Sequence, residues 1–130
     1  MEPVYAFRFF FDWGSPSECL WPDNQAARAR FGFAPSIEIF PVSPALKAEV
    51  IRVGEWYQTA LNWAYPTDPG PWRQAECDRF NRAVRQLFDA LGKELGPNFK
   101  LVYAQDEPAE DPDLDEYLKD PAHFKRKRLD

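Results

Sequence analysis

Residues 4–11 constrain this 130-residue chain more than any other segment. Tyr5, Phe7, Phe9 and Phe11 occupy every second position, with Ala6, Arg8, Phe10 and Asp12 between them. Successive side chains of a strand point to opposite faces, so this alternation predicts a β-strand whose aromatic face must be buried against a second layer. Phe10 breaks the polar series and predicts partial cover on the other face too. Gly14-Ser15-Pro16-Ser17 supplies turn residues, and Glu18-Cys19-Leu20-Trp21 returns as a short second strand, making a hairpin.

The layer that covers this face is written at helical spacing. Ser43 as cap and Pro44 at the first helical position open a helix. Leu46, Val50, Val53, Tyr57 and Leu61 then recur at steps of four, three, four and four, which is one helical face and predicts a helix over 44–63. Gly54 either admits a close approach by another element or is tolerated at a cost of up to about 1 kcal/mol against Ala. Tyr65-Pro66-Thr67-Asp68-Pro69-Gly70-Pro71 cannot be helical, because three prolines remove amides and fix the backbone. A longer helix begins at Trp72 or Arg73 and ends near Gly96-Pro97. It buries Phe80, Val84, Leu87, Phe88, Leu91 and Leu95, and Arg73, Arg79, Arg82 and Arg85 line its flank.

A shorter helix is expected from a cap at Asp23 to a stop at Gly32, with Phe31 and Phe33 pinning its end to the core. Ile37 and Ile39 alternate within 36–40 and suggest a third strand. Phe99, Leu101 and Tyr103 do the same within 98–104 for a last one. The order ββαβααβ predicts an α+β fold: a small antiparallel or mixed sheet of about four strands with about three helices packed on it. No internal repeat is visible.

Aromatic residues make up 16% of the chain, enough ring surface for a core without metals or disulfides. That core is expected in a single globular unit over 1–105. From residue 106 apolar residues thin out, and Pro108, Pro112 and Pro121 punctuate an acidic run. A stretch of this composition buries too little to offset its ordering entropy, so 106–130 reads as a charged tail. Within it, Leu114, Tyr117 and Leu118 share one side of a helical turn or two.

The net charge of -5 is uneven. Residues 1–105 carry eleven basic and twelve acidic side chains, whereas 106–130 carry five and nine. A nearly neutral body lacks the basic face that nucleic acid requires, so no nucleic-acid partner is expected. Within the tail, 106–120 hold eight acids against Lys119 alone, followed by the basic cluster 125–128. The acidic run is either a solvating terminus or an aid to docking on a basic partner. No run approaches the roughly 20 apolar residues of a membrane span. Met1-Glu2-Pro3 lacks the pattern of a secretory signal, which predicts a cytoplasmic chain with Cys19 and Cys77 as free thiols.

The chemistry-bearing residues are dispersed. His123, the single histidine, stands in the tail, away from any fixed partner. One histidine and two scattered cysteines cannot assemble an ordinary zinc site, and 106–120 lack the ligand spacing of a calcium loop. Ser15 and Ser17 have no Gly-x-Ser-x-Gly frame, and six single glycines form no phosphate loop. Glu55 with Asp68 or Glu76 is the nearest approach to an acid–base pair, and solvated surface acids are the commoner reading. No catalytic residue, metal ligand or cofactor is expected, and the chain does not read as an enzyme.

Aromatic clustering is the informative feature. Trp56, Trp63, Tyr65 and Trp72 gather around the proline loop, and Trp13 and Trp21 flank the hairpin turn. Trp56 and Trp63, seven apart, share a face if the helix reaches 63. These six residues either cap the end of the core or form a binding surface, since Trp offers large rigid area with one polar handle.

The frame Phe9-x-x-Asp12-Trp13-Gly14, Cys19-Leu20-Trp21-x-x-Asn24, Phe31-Gly32, Pro41-Val42-Ser43, Leu61-Asn62-Trp63, Pro71-Trp72 and Arg79-Phe80-Asn81 resembles small bacterial proteins of the immunity type. The resemblance covers 5–104 and leaves the tail out. It implies a non-enzymatic protein-binding module that inhibits a toxin, its partner being a basic toxin domain. The alternative is a small-molecule binder that stacks a sugar or nucleotide-like ligand in an aromatic pocket, with Asn62, Arg79 and Arg82 orienting it.

Overall fold

The structure is a computed structural model that describes residues 4–126. Met1–Pro3, and Lys127 and Arg128 of the basic cluster, lie outside the described residues. The chain runs β1 (Tyr5–Phe9), β2 (Leu20–Pro22), α1 (Gln25–Phe31), a 3-10 turn (Ile37–Ile39), α2 (Pro44–Gln58), α3 (Gln74–Leu95), β3 (Phe99–Tyr103), α4 (Leu114–Lys119) and a second 3-10 turn (Pro121–His123). It is an α+β fold. Its sheet has the order β2-β1-β3, with β1 antiparallel to β2 and parallel to β3.

The alternating strand is the middle one, as its ring content demands. Phe7 is buried against Phe31 of α1, Phe40 and Phe99, Phe9 against Phe88 of α3 and Phe11 beside Tyr57 of α2, and Tyr5 packs half-buried beside them. Each buried Phe contributes about 1.5–3 kcal/mol. Val50, Val53 and Tyr57 of α2 and Phe80, Val84, Leu87 and Leu91 of α3 complete the core. On the opposite face Trp21 stacks on Phe10, ring centroids 5.2 Å apart, and its Nε1–H donates to the Phe10 carbonyl at 2.8 Å. This is the partial cover that Phe10 predicted.

Four local expectations are corrected. Residues 36–40 form no strand; Ser36 caps a 3-10 turn in which Ile37 is buried and Ile39 lies exposed. Pro35 and Pro41, which carry no amide donor, bracket this span, and the sheet has three strands rather than four. The α1 cap is Asn24, not Asp23. Its Oδ1 accepts from Ala27 N at 2.9 Å while its Nδ2 donates to the Val4 carbonyl at 2.9 Å, and a carboxylate cannot supply that donor. Phe31 pins the end of α1 among Phe7, Phe40 and Phe99, but Phe33 is 81% exposed. Finally, α2 stops at Gln58, so Leu61 and Trp63 leave its face.

The Gly54 alternatives resolve into close approach. A side chain there would collide with the Pro16 carbonyl and press on the Phe11 ring at 3.1 Å. The hairpin turn therefore rests directly on the α2 backbone. Gly54→Ala should destabilise the fold by about 1–3 kcal/mol, as overpacked cores do. Urea denaturation with an unchanged m-value checks this; a loss within error of zero contradicts the contact.

Candidate functional site

The hairpin turn and the C-terminal end of α2 are fastened by one side chain. Gln58 Oε1 accepts from Gly14 N at 2.6 Å, and its Nε2 donates to the carbonyls of Asp12 (3.0 Å) and Gly54 (3.2 Å). Trp13 is thereby laid flat on Tyr57, 5.4 Å between centroids and 4° between planes. The last carbonyls of α2 are closed by the Thr59 and Ala60 amides together with side chains. Trp63 Nε1–H donates to the Gln58 carbonyl at 2.6 Å, and Thr59 Oγ1–H to the Trp56 carbonyl at 2.7 Å. Helix ends leave such acceptors open, and here an aromatic residue takes one and is itself held rigid.

The six predicted aromatic residues divide into two groups. Trp13 (43%), Trp63 (55%) and Tyr65 (67%) are exposed around the proline loop. Trp72 is buried at 5%, its Nε1–H donating to Thr59 Oγ1 at 2.8 Å, and it packs with Trp56 on Phe80. Trp56 also donates its Nε1–H to Glu76 Oε2 at 2.8 Å. Trp21 covers Phe10 on the far face of the sheet. The predicted common face of Trp56 and Trp63 is absent, because Trp63 lies beyond the end of α2.

A cleft of about 470 Å³ opens between hairpin and proline loop, lined by Trp13, Leu61, Asn62, Asp68 and Trp72 and walled opposite by the segment after residue 106. That segment is more ordered than its composition predicts. Leu114 is buried, and α4 begins with it. Glu110 Oε1 accepts from Gln74 N at 3.1 Å while Glu110 N donates to Gln74 Oε1 at 3.0 Å, so a carboxylate closes the electropositive start of the long α3 helix. Arg85 binds Glu107 through two bonds of 2.8 Å, and Arg73 reaches Asp115 at 2.8 Å. Arg126 joins Asp111, Asp113 and the Thr67 carbonyl at 2.9–3.2 Å, tying the segment to the proline loop. Composition misses this because the partners are the α3 arginines and the loop, distant in sequence.

Arg79 and Arg82 are exposed and do not line the cleft, whereas Asn62 does; its Nδ2 donates to Tyr117 Oη at 3.0 Å. His123 Nδ1 lies 3.0 Å from Asp120 Oδ2 and is exposed. Cys19 and Cys77 are buried free thiols, and burial, assisted by Glu18, pushes the Cys19 thiol up, which disfavours the nucleophilic thiolate. Among the described residues no three His, Cys, Asp or Glu side chains are placed to hold a metal ion, and no helix is long and apolar enough to cross a membrane. Gln58 and Arg126, which shape the site, carry no local signal; each acts through partners far away in sequence.

Two predictions follow from this geometry. Gln58→Ala should cost about 1–3 kcal/mol through its lost hydrogen bonds, and the Trp13 indole should broaden in NMR spectra as its platform loosens. An unchanged Trp13 signal contradicts the clamp. Burial, with the Glu107 carboxylate beside it, pushes the Tyr103 phenol up to about 12. The folded phenol thus holds its proton above the ordinary value of about 10, so its stabilising contribution is complete below pH about 10 and falls as pH rises toward 12. Burial also pushes the Tyr57 phenol up, so ultraviolet titration should show two late tyrosines, and Glu107→Gln should bring Tyr103 earlier; no movement of Tyr103 contradicts the contact.

No curated protein matches this chain. A family model described as Serratia CdiI immunity protein-like matches residues 8–106, which take in the end of β1, the hairpin turn, β2, the proline loop, the two long helices and β3. That match covers most of the chain and agrees with the resemblance carried by the hairpin and loop residues; the chain belongs to the Serratia CdiI immunity protein-like family.

Proposed function

We propose that this protein is a non-enzymatic binding module that inhibits a bacterial toxin by occupying it through the aromatic rim of the proline loop. The observation that carries the reading is the rim itself: Trp13, Trp63 and Tyr65 are exposed yet held, by stacking on Tyr57, by the Gln58 carbonyl and by Asn62 Oδ1 on Tyr65 N at 3.1 Å. Rigid aromatic residues lose little entropy on binding and recur as interface anchors. Family membership supports a toxin as the partner. The net charge of -5, concentrated after residue 105, favours a basic toxin domain and rapid electrostatic encounter. Of the six aromatic residues, Trp13, Trp63 and Tyr65 are assigned direct contact and Trp72 and Trp56 support from beneath, while Trp21 covers the far face of the sheet. The compartment that suits this reading is the cytoplasm, where both thiols stay reduced.

The test is recovery of the bound partner from the native host, then co-expression with that toxin domain, with affinity measured by calorimetry. Wild type should protect growth and form a stoichiometric complex. Trp63→Ala or Tyr65→Ala should weaken it by about 1–3 kcal/mol, and Phe33→Ala, exposed elsewhere, should not. Neither protection nor complex from the wild-type chain overturns the reading.

The cleft between Trp13 and Trp72 favours a second reading, a small polar aromatic or sugar ligand stacked on the indoles. Asp68, Glu110 and Asp111 make its charged lining mainly acidic, which suits a cationic ligand better than a phosphorylated one. Saturable quenching of tryptophan emission by a nucleoside or monosaccharide, abolished in Trp13→Ala, would support it over toxin binding.

A further inference from the structure

Pro108, Ala109 and Pro112 wall one side of the cleft of about 470 Å³, and Trp72 and Cys77, 5% and 0% exposed, line it from the body. How that wall is attached decides whether it can leave. Leu114 is its one buried side chain among the described residues. Much of its remaining hold on the body is polar. Glu107 pairs with Arg85 and Asp115 with Arg73. Glu110 exchanges two hydrogen bonds with Gln74, and the Pro108 carbonyl accepts from Asn81 Nδ2 at 3.1 Å. At the far end Arg126 forks onto Asp111 and reaches across to the Thr67 carbonyl.

The three arginines stand largely in water. Arg73, Arg85 and Arg126 keep 49%, 63% and 42% of their side-chain surface exposed. Pairs of this kind lose most of their attraction as salt shortens the screening distance, from about 30 Å at 0.01 M to about 3 Å at 1 M. The body beneath is held by ring packing, which salt does not screen. Trp72 and Trp56 lie on Phe80 at 5.1 and 5.2 Å between centroids. One part of the molecule is thus attached by contacts that ionic strength weakens, and the other by contacts it leaves intact.

We propose that residues 107–126 form a strap over the cleft that salt releases: as the ion pairs are screened the strap lifts as a unit, the body stays folded, and Trp72 and Cys77 are uncovered. The strap gates the cleft, so a ligand that reaches the Trp72 indole enters while it is open. The inference goes beyond the toxin reading and does not depend on it. The residues matched by the family end at 106, where the strap begins.

The two thiols provide an internal comparison. Cys77 lines the cleft, whereas Cys19, 1% exposed beside β2, is not among the lining residues. Alkylation of the full chain by iodoacetamide is followed by mass spectrometry, each rate being referred to that of glutathione in the same buffer. Between about 0.02 M and about 1 M sodium chloride Cys77 should react about tenfold faster, while Cys19 keeps the slow rate set by unfolding of the whole body. Leu114→Ala, and separately Glu107→Gln with Arg126→Gln, should speed Cys77 at low salt and leave Cys19 unchanged. The double variant should also flatten the salt dependence. In hydrogen exchange the Glu110, Leu114 and Tyr117 amides, each bonded at or within the strap, should accelerate together with Cys77. Equal rates for the two thiols, a Cys77 rate indifferent to salt or to the strap variants, or acceleration of Cys19 alongside Cys77 overturns the proposal. None of these outcomes bears on the growth-protection test, which stands or falls separately.

Discussion

The hairpin turn sits directly on the backbone of α2, and the remaining architecture follows from that contact. At Gly54 the helix presents no side chain, so the Pro16 carbonyl occupies the place a Cβ would need and the Phe11 ring closes over it. One turn further on, Gln58 fastens the same turn through Gly14 N and the Asp12 carbonyl while its Nε2 also donates to the Gly54 carbonyl of its own helix. This seating presses Phe11, next in the aromatic series of the strand, against α2. It also lays Trp13 on Tyr57, whose ring stacks in turn on Phe80 at 5.4 Å. An exposed candidate anchor is thus continuous, ring upon ring, with the centre of the core. Such continuity explains how an aromatic surface remains rigid without being covered.

The C-terminal segment is attached by different physics. Its exposed ion pairs are individually worth little, roughly 0–1 kcal/mol each, and Leu114 is its one fully buried apolar anchor among the described residues. Order arises because several weak contacts share few carriers: Glu110 closes the start of α3, Arg126 ties two aspartates to the proline loop, and Asn62 meets Tyr117. An acidic stretch held in this manner lines one wall of the cleft. The same reliance on charge makes the segment more sensitive to ionic strength than the aromatic body beneath it.

Elements with a clear period were legible. The alternation at 4–11, the stripe of α3 and the alternation at 98–104 each placed a real element with its buried face. The cap Ser43 and the Pro44 start of α2 were equally plain. Reading failed where two signals of equal local merit competed. Asp23 and Asn24 are both good caps, and the choice fell to Asn24 because it also donates to β1. Ile37 and Ile39 alternate as a strand would, but with prolines on either side and Ser36 as cap the segment is a single 3-10 turn. Leu61 continued the α2 period by coincidence, while Trp63 and Thr59 closed the helix three to five residues earlier.

Composition and spacing by themselves determined that the chain forms an α+β body with a buried aromatic strand, and the residues of its hairpin and loop carried the family resemblance. They also supplied the candidate anchors, since tryptophans crowded around a stiff proline loop are evident in one dimension. Tertiary structure alone decided which of those rings face outward. Exposure depends on what lies above a residue, and Trp72 and Trp63, both beside the loop, part company because one is covered by Phe80 and Trp56 while the other crosses the end of α2. It likewise decided that the acidic segment folds back, for the arginines and the open helix amides that hold it are supplied by residues tens of positions away.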